Sequence, residues 1–564
     1  MKQGQTWLCV GATLVLFGFA SGCNREGSTG PHLFSGKIQS AHTHGWLTYR
    51  YDSSRSGNQP YASKLSDPKA VRNLGVRWVF APKDPGYFSA SPIVANGTVF
   101  IGGSNGHFYA IDAESGALKW QYPVPPEPPL LSPASPGSPE CKLTCYGIGS
   151  SGTYWDRDQD GAVIFGAQDP TLEPKLGSAR LYALNARTGA LIWKSDPVAI
   201  INGTDTHSLK ELHERIKYSS PLIFNDRAYV GISDAYFDRP LQNGRVVAID
   251  LQTGHINSQF SYVSTGSHRG GAVWNSPAAD AQGVYFTTGN TRHDNMGDQL
   301  PEPSPNHGLS MIRADKNTGG IVWEFQPVPY ALDDDPDWAA GTAIMAASCG
   351  ELIASVQKDG WAYAVSAGTT TPGPPHVAWQ FPPTGYPFTG YVHGDSDYKH
   401  PGAAWNDVFI VSTGGEDLTV DGVGAGYGKL QALNACASNE TNRVRWIAEI
   451  PNANLSSDAG PGYAIGSPTV TGGIVYIGTN TGHLIALADP AVWPAAGARC
   501  SNVRYTDAAE CMKNNYVLVP IPAVLANVAL PDGGDIAGLR GEAAVADGKI
   551  FVATNMGHVY MLSP

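Results

Sequence analysis

The sequence predicts an all-β fold, an eight-bladed β-propeller of four-stranded antiparallel blades. Two observations support this prediction. A strand–turn–strand unit recurs about eight times along the 564 residues, and each copy is too short to bury both of its own faces. The composition also agrees, because 66 glycines, 42 prolines and an aromatic content of 10% suit short strands joined by tight turns rather than long helices.

The first clear copy of the repeat shows its parts in order. A Ser-Pro pair opens the unit at Ser91, two strands meet at a turn around Gly97, and a third strand runs to Asp112. A Ser-Gly turn then leads to an outer strand that carries Trp120. We expect such tryptophans to dock between neighbouring blades, each burying about 150–250 Å². The other outer-strand tryptophans are Trp193, Trp323, Trp379 and Trp446.

The two ends of the chain are predicted to complete one blade together. The last copy stops at Leu562 without an outer strand, whereas residues 76–80 stand alone near the N-terminus as an outer strand with Trp78. Pairing them would close the ring and hide its sheet edges. A β-sandwich or a solenoid is the alternative. However, a sandwich does not repeat its sequence, and in a solenoid an N-terminal strand does not complete the last repeat.

The N-terminal residues have the order of a secretory signal. Lys2 precedes a short apolar stretch that ends at Ala20, and small residues then lead to Cys23. The apolar stretch is too short to span a bilayer. The small residues before Cys23 resemble a bacterial lipobox, in which the cysteine is lipidated. An ordinary secretory signal with an incidental cysteine is the alternative.

These features predict three parts of the chain. Residues 1–23 are expected to be a lipoprotein signal peptide, residues 24–44 a tether and residues 45–564 the propeller. The protein is then exported and anchored by its lipid, facing the periplasm or the cell surface. The outer membrane is favoured, because Asn24 is not the aspartate associated with retention in the inner membrane.

Charge and cysteine usage narrow the function classes. The formal net charge of -12, without a Lys or Arg cluster, argues against a nucleic-acid partner. The sequence contains no Cys-x-x-Cys-His motif for a covalently attached haem. Six cysteines besides Cys9 and Cys23 predict disulfides in an exported chain. We expect the pairs Cys141–Cys145, Cys500–Cys511 and Cys349–Cys436, although six cysteines allow fifteen connectivities.

The repeat resembles that of the pyrroloquinoline-quinone (PQQ) proteins along nearly the whole mature chain. The resemblance rests on the aspartate, Thr-Gly and tryptophan of each copy and on the opening residues 46–52 and 55–58. It implies the propeller fold. It does not decide the function, because the same repeat builds quinoprotein dehydrogenases and non-enzymatic outer-membrane assembly lipoproteins of the BamB type.

Four segments in the middle of the chain resemble the site of the quinoprotein dehydrogenases in their order and rough spacing. By that resemblance, Trp274 stacks on the quinone, Lys358 contacts it, Asn290 binds a calcium ion and Asp337 takes the proton of the substrate hydroxyl. The segments are residues 270–274, 285–290, 333–338 and 357–361.

Each of these residues also has a purely structural interpretation. Trp274 could be another aromatic residue between blades, and Asn290 could make a turn after Gly289. The aspartates of residues 333–337 could form a solvated acidic loop, and Lys358 could be a surface turn residue.

The sequence departs from the family pattern at two places. The adjacent cysteine pair that caps the quinone in many relatives is missing, since Cys141 and Cys145 are separated by three residues. Where the family has a glutamate calcium ligand, Tyr236 stands nearest, so Asp234 or Asp238 would have to substitute.

The resemblance therefore implies a membrane-anchored periplasmic quinoprotein dehydrogenase. It would oxidise an alcohol or polyol with PQQ and calcium and would pass electrons to a separate acceptor such as a cytochrome c. The polyvinyl-alcohol dehydrogenase type is nearer than the methanol dehydrogenase type. Two alternatives remain, namely an envelope binding or assembly scaffold of the BamB type and a propeller that keeps the shape of the pocket without its cofactor.

Overall fold

A computed structural model describes most of the propeller. The described residues are 44–61, 64–84, 86–130, 147–169, 171, 179–198, 216, 218–233, 244–263, 269–292, 307–327, 338, 340–357, 361–368, 374–381, 401–413, 419–420, 423–424, 429–451, 466–502, 505–536 and 541–564.

Eight four-stranded antiparallel sheets follow one another along the chain, which confirms the predicted fold and the number of blades. Within blades 1 to 7, the strands run in sequence from the innermost to the outermost. Blades 1 to 4 are built from Ile93–Ala95, Thr98–Gly102, Phe108–Asp112, Leu118–Tyr122; Thr153–Trp155, Ala162–Gln168, Ala179–Asn185, Leu191–Lys194; Leu222–Phe224, Arg227–Ile232, Arg245–Asp250, Tyr262–Val263; and Ala278–Ala279, Val284–Thr287, Met311–Ala314, Ile321–Phe325. Blades 5 to 7 are built from Ala343–Ala347, Gly350–Val356, Ala362–Ser366, Val377–Phe381; Ala403–Trp405, Val408–Thr413, Lys429–Asn434, Val444–Glu449; and Thr469–Thr471, Ile474–Gly478, His483–Ala488, Ala523–Ala529.

Blade 8 contains both ends of the described chain. Its three inner strands are Ala544–Ala546, Lys549–Ala553 and Val559–Ser563. The outer strand is Gly75–Phe80, which pairs antiparallel with Val559–Ser563. The predicted closure of the ring by the two ends is therefore confirmed.

The remaining elements are short. The described helices are Pro68–Val71, Ala508–Lys513 and a single 3₁₀ turn at Glu440–Asn442. Three two-stranded ribbons are Arg269–Gly270 with Thr291–Arg292, Thr419–Val420 with Val423–Gly424, and Gly497–Cys500 with Leu518–Ile521. Among the described residues, no helix is both long and apolar enough to cross a bilayer.

Three outer-strand tryptophans dock on the next blade in one common way. Each indole N–H donates to the backbone carbonyl that directly follows the third strand of that blade. The pairs are Trp78 with Ala113 at 3.3 Å, Trp120 with Ala186 at 3.1 Å and Trp193 with Leu251 at 2.8 Å. The interpretation of these tryptophans as contacts between blades is confirmed.

Arginine side chains replace this hydrogen bond farther round the ring. Arg313 donates to the carbonyl of Ala367 at 3.0 Å, and Arg443 donates to that of Ala435 at 3.2 Å. These carbonyls hold the same place in blades 5 and 6. The guanidinium of Arg443 also lies over the ring of Trp379, 5.3 Å from its centroid. At these two carbonyls the donor is therefore an arginine and not a tryptophan.

A ladder of serines links the openings of blades 1 to 4. The backbone N–H of Ser91 donates to Oγ of Ser151 at 3.0 Å, and the N–H of Ser151 donates to Oγ of Ser220 at 3.0 Å. The N–H of Ser220 then donates to Oγ of Ser276 at 2.9 Å. Each hydroxyl thus satisfies a buried amide of the preceding blade.

Residues 46–59, here called the central segment, bond to the innermost part of every blade. Backbone contacts reach six blades, the side chain of Arg55 reaches blade 3, and the side chain of Gln59 reaches the carbonyl of Val545 in blade 8 at 3.3 Å. The backbone contacts join Trp46 to Val94, Thr48 to Thr153, Ser53 to Ala279, Ser54 to Ile344, Ser56 to Ala404 and Gly57 to Val470. The central segment therefore ties all eight blades together from inside the ring.

Two disulfides match the expected pairs. Cys349, in the first turn of blade 5, is bonded to Cys436, in the last turn of blade 6. Cys500 is bonded to Cys511 within the long connection between the third and fourth strands of blade 7. Cys141 and Cys145 lie outside the described residues.

Candidate functional site

One end of the ring carries all the candidate residues that the structure describes. In an antiparallel blade, the link between the second and third strands lies at the same end as the link from the outermost strand to the next blade. Trp274 and Trp338 precede the innermost strands of blades 4 and 5, and Asn290 follows the second strand of blade 4. We call this end of the ring the loop end.

Trp274 is buried at the loop end, with 3% of its surface exposed. Its ring and that of Tyr218 form an edge-to-face pair with a centroid distance of 6.2 Å and an interplanar angle of 64°. With Ala272, these two residues form a small apolar cluster separate from the cores between the blades. Trp274 lies in a connection and not in an outer strand, so it does not belong to the tryptophan series described above.

The segment that carries Trp274 runs beside the segment that carries Asn290. The N–H of Gly271 donates to the carbonyl of Asn290 at 2.9 Å, and the N–H of Gly289 donates to the carbonyl of Ala272 at 2.8 Å. Asn290 is 4% exposed. The structure therefore brings together two of the segments that the sequence singled out.

Asn275 connects this pair of segments to the end of the acidic motif. Its Nδ2 donates to the carbonyl of Thr287 at 3.2 Å and to the carbonyl of Trp338 at 3.3 Å. Trp338 is fully buried, and its indole N–H donates to the carbonyl of Leu309 at 2.8 Å. Trp338 directly follows Asp337 in the sequence.

Gln357 is a candidate that sequence reasoning missed. Its side chain is fully buried, yet neither amide atom has a hydrogen-bond partner within the described part of the chain. Strand alternation places Gln357 on the same face as Ser355 and Ile353, and Ile353 packs in one cluster with Trp338. A buried amide without partners is unusual and needs a ligand or water to satisfy it. The signal in the sequence was an amide directly before Lys358 at the end of a buried strand.

His307 is hydrogen-bonded to Thr288, which lies two residues before Asn290. The hydroxyl of Thr288 donates to the carbonyl of His307 at 2.7 Å, and Nδ1 of His307 lies 2.8 Å from a carboxylate oxygen of Glu324. The hydrogen bond with Glu324 raises the pKa of His307, although partial burial opposes this. This pair was also missed, because nothing in the sequence connects a loop histidine with a strand glutamate.

The other predicted site residues lie outside the described part of the chain. They are Asp234, Asp238, Asp337, Lys358 and Cys23. Among the described residues, no group of three or more His, Cys, Asp or Glu side chains could hold a metal ion. The calcium site therefore stays a prediction.

Comparison with known proteins places the fold in a defined family. Residues 46–376 match the family model described as PQQ: glucose/ethanol/alcohol dehydrogenase, beta-propeller domain. The dehydrogenase subunit of a quinone alcohol dehydrogenase from Gluconacetobacter polyoxogenes is 25% identical in an alignment 394 positions long, which covers 62% of this chain and 47% of that protein. The quinohemoprotein alcohol dehydrogenase of Comamonas testosteroni is 23% identical in an alignment 287 positions long, which covers 46% of this chain and 36% of that protein. The chain thus spans about half the length of the first of these curated relatives and a smaller share of the second.

Solved structures show the same architecture. A europium-containing methanol dehydrogenase superposes with a TM-score of 0.59 at 14% identity, covering 93% of this chain and 98% of that chain. The Comamonas testosteroni quinohemoprotein alcohol dehydrogenase superposes with a TM-score of 0.58 at 17% identity, covering 93% and 81%. At these identities the likeness concerns the fold. Because the family model matches more than half of the sequence, this chain belongs to the PQQ family of glucose, ethanol and alcohol dehydrogenase β-propeller domains.

Proposed function

We propose that this protein is a PQQ-dependent dehydrogenase that oxidises an alcohol or a polyol. The observation that carries the proposal is the meeting of three segments at the loop end. Hydrogen bonds join the Trp274 segment to Asn290 on one side and, through Asn275, to Trp338 on the other. Because the three segments belong to three different connections of blades 4 and 5, their convergence supports a shared site rather than three unrelated loops.

The described residues fit a flat, polar cofactor. Trp274 and Tyr218 provide aromatic surface, and the buried amide of Gln357 requires a hydrogen-bonding partner. PQQ, when bound, would supply the acceptor for the two electrons taken from the alcohol. Trp274 would face its ring system, Lys358 would hold an acidic edge, and Asn290 with Asp234 or Asp238 would supply oxygen ligands to calcium.

The protein's own acid–base chemistry would then rest on Asp337. Removing the hydroxyl proton makes the carbon a better hydride donor, and a carboxylate placed within hydrogen-bond reach can take that proton. Asp337 is proposed for this role because it directly precedes Trp338, whose backbone is held by Asn275. The proton would move from the substrate hydroxyl to the carboxylate of Asp337.

Electron transfer and location complete the proposal. A separate acceptor, such as a cytochrome c, would take electrons from the reduced site. A lipid on Cys23 would anchor the protein at the outer membrane, facing the periplasm or the cell surface. Export in this form agrees with the two disulfides, which form in oxidising compartments.

The test is reconstitution of residues 24–564 with PQQ and Ca²⁺, followed by reduction of an artificial dye in the presence of a panel of alcohols and polyols. We expect PQQ to bind and at least one substrate to be oxidised. Binding without added Ca²⁺ measures the contribution of the metal separately. If PQQ neither binds nor supports turnover, the proposed function is wrong and a binding scaffold becomes the better interpretation.

A further inference from the structure

Arg55 is a buried cation in the central segment, with 1% of its surface exposed. All five N–H groups of its guanidinium are used in hydrogen bonds. Two of them bind inside the central segment, where Nη1 donates to Thr48 Oγ1 at 2.7 Å and to the carbonyl of Tyr49 at 2.6 Å. The other three reach outward to blades 3 and 4.

The outward bonds end beside the aromatic cluster of the site. Nε donates to the carbonyl of Pro277 at 2.8 Å, and Nη2 donates to the carbonyls of Ser220 at 3.2 Å and Pro221 at 3.3 Å. Pro277 follows Trp274 by three residues, and Ser220 follows Tyr218 by two residues. Arg55 therefore binds the two chain segments whose rings meet in the Trp274–Tyr218 contact.

A second link joins the same two segments. The N–H of Ser220 donates to Oγ of Ser276 at 2.9 Å, so the connections before blades 3 and 4 are held both to each other and to Arg55. Trp274 lies in one of these connections and not in a strand of a blade. Its position therefore depends on the groups that fix the connection.

Arg50 provides a comparison within the same central segment. It is fully buried, but it binds the opposite half of the ring. Its Nη1 donates to the carbonyl of Pro468 at 2.7 Å and to the carboxylate of Glu542 at 3.0 Å, and Nη2 donates to the carbonyl of Gly402 at 2.8 Å. These partners precede the innermost strands of blades 7, 8 and 6, away from Trp274.

We propose that Arg55 is a positioning residue for the cofactor surface, whereas Arg50 serves only the closure of the ring. This inference rests on the proposed function, because it assigns the Trp274–Tyr218 cluster to PQQ. The planar guanidinium of Arg55 donates at the same time to three backbone carbonyls in the two connections that precede blades 3 and 4. A lysine keeps the charge but has a single ammonium group and cannot span those acceptors.

The experiment compares the full chain with its R55K and R50K variants, which make the same change at equally buried positions. PQQ affinity is measured by titration, and hydrogen exchange is measured on the protein without PQQ. We expect R55K to weaken PQQ binding about 10- to 100-fold, the loss that follows when a residue that orients the ligands of a metal site is removed. Exchange should rise in peptides covering residues 218–222 and 270–279.

The R50K variant supplies the contrast. It should raise exchange in peptides covering residues 466–471 and 541–545 and leave PQQ affinity within about twofold, since it does not touch the Trp274 connection. Equal losses of affinity in both variants, or unchanged affinity in R55K, would overturn the positioning role.

Two further outcomes are also decisive. If R55K does not fold, S276A tests the same connection more gently, because it removes the acceptor for the Ser220 N–H and the long hydrogen bond to the Tyr218 carbonyl at 3.5 Å. Unchanged affinity in S276A overturns the proposal. If the wild-type chain binds no PQQ, the proposed function fails by itself. In that case, unchanged exchange of residues 218–222 and 270–279 in R55K overturns the positioning role separately.

Discussion

The indole N–H of Trp120 donates to the carbonyl of Ala186 in the neighbouring blade, at 3.1 Å. This bond places the indole ring directly against Gly189, where a Cβ atom would lie 2.8 Å from the ring. Gly189 also has a φ of 75°. The repeat therefore requires a glycine here for two reasons. Its backbone adopts a positive φ, and the tryptophan of the preceding blade leaves no room for a Cβ atom.

G189A should destabilise the protein more than G97A does. Both glycines have positive φ, but a Cβ at Gly97 would meet no atom within 4 Å. We expect about 1 kcal/mol of lost stability for G97A from the backbone alone and about 1–3 kcal/mol more for G189A from displacement of the Trp120 ring. Urea unfolding of the two variants measures the difference. Equal losses would show that the ring moves aside without cost.

Removal of the Cys349–Cys436 disulfide should cost more stability than removal of the Cys500–Cys511 disulfide. The first bond spans 87 residues and the second spans 11. In the chain-entropy model these lengths correspond to about 4–5 and about 3 kcal/mol. Denaturant unfolding of the two double-serine variants tests the order, and a larger loss for C500S/C511S would contradict it.

The His307–Glu324 pair should make stability fall as the pH rises. The hydrogen bond to Glu324 raises the pKa of His307 above its ordinary value. A raised folded-state pKa gives stability that is complete below the unfolded value and is lost as pH passes through the folded value.

The measurement is urea unfolding of the wild type and H307Q between about pH 5.5 and 8.5, the range around the ordinary histidine pKa. Subtracting the two curves removes the contributions of the other histidines. We expect a steeper decline in the wild type, and E324Q should lose the same component as H307Q. Parallel curves for wild type and H307Q would contradict the prediction.

At the site, D337N should lower turnover, whereas W274A should lower the affinity for PQQ. D337N should lower turnover about 10²- to 10⁴-fold, because the general base is lost, and should leave PQQ affinity nearly unchanged. W274A should weaken PQQ binding first, because it removes aromatic surface from the cofactor site. Separate PQQ titrations and dye-reduction rates distinguish the two. A D337N variant with wild-type turnover would remove Asp337 from the mechanism.

The blades were predictable because their signals are local. One copy of the repeat contains Ser91, Gly97, Asp112 and Trp120. The turns and the outer strand of a blade can therefore be recognised within about thirty residues of sequence. The ring closure was predictable for a related reason, since an outer strand without a blade and a blade without an outer strand imply each other.

The contacts of Arg55 and Gln357 could not be predicted in the same way. Arg55 binds backbone carbonyls, which every residue has, and Pro277 lies 222 positions away. Gln357 is distinguished by what surrounds its amide, and a sequence does not show burial without partners. The family motif located Trp274 and Asn290, but Asn275, whose amide connects the Trp274 segment to Trp338, lies outside the motif.

The pairing of Gly75–Phe80 with Val559–Ser563 also sets the order in which this protein can be made and folded. Gly75–Phe80 is synthesised early, but it cannot complete blade 8 until Val559–Ser563 has also been synthesised. Contacts of such sequence separation give a high contact order, which slows folding. Blade 8, and with it the closed ring, therefore cannot form until Val559–Ser563 has emerged from the ribosome.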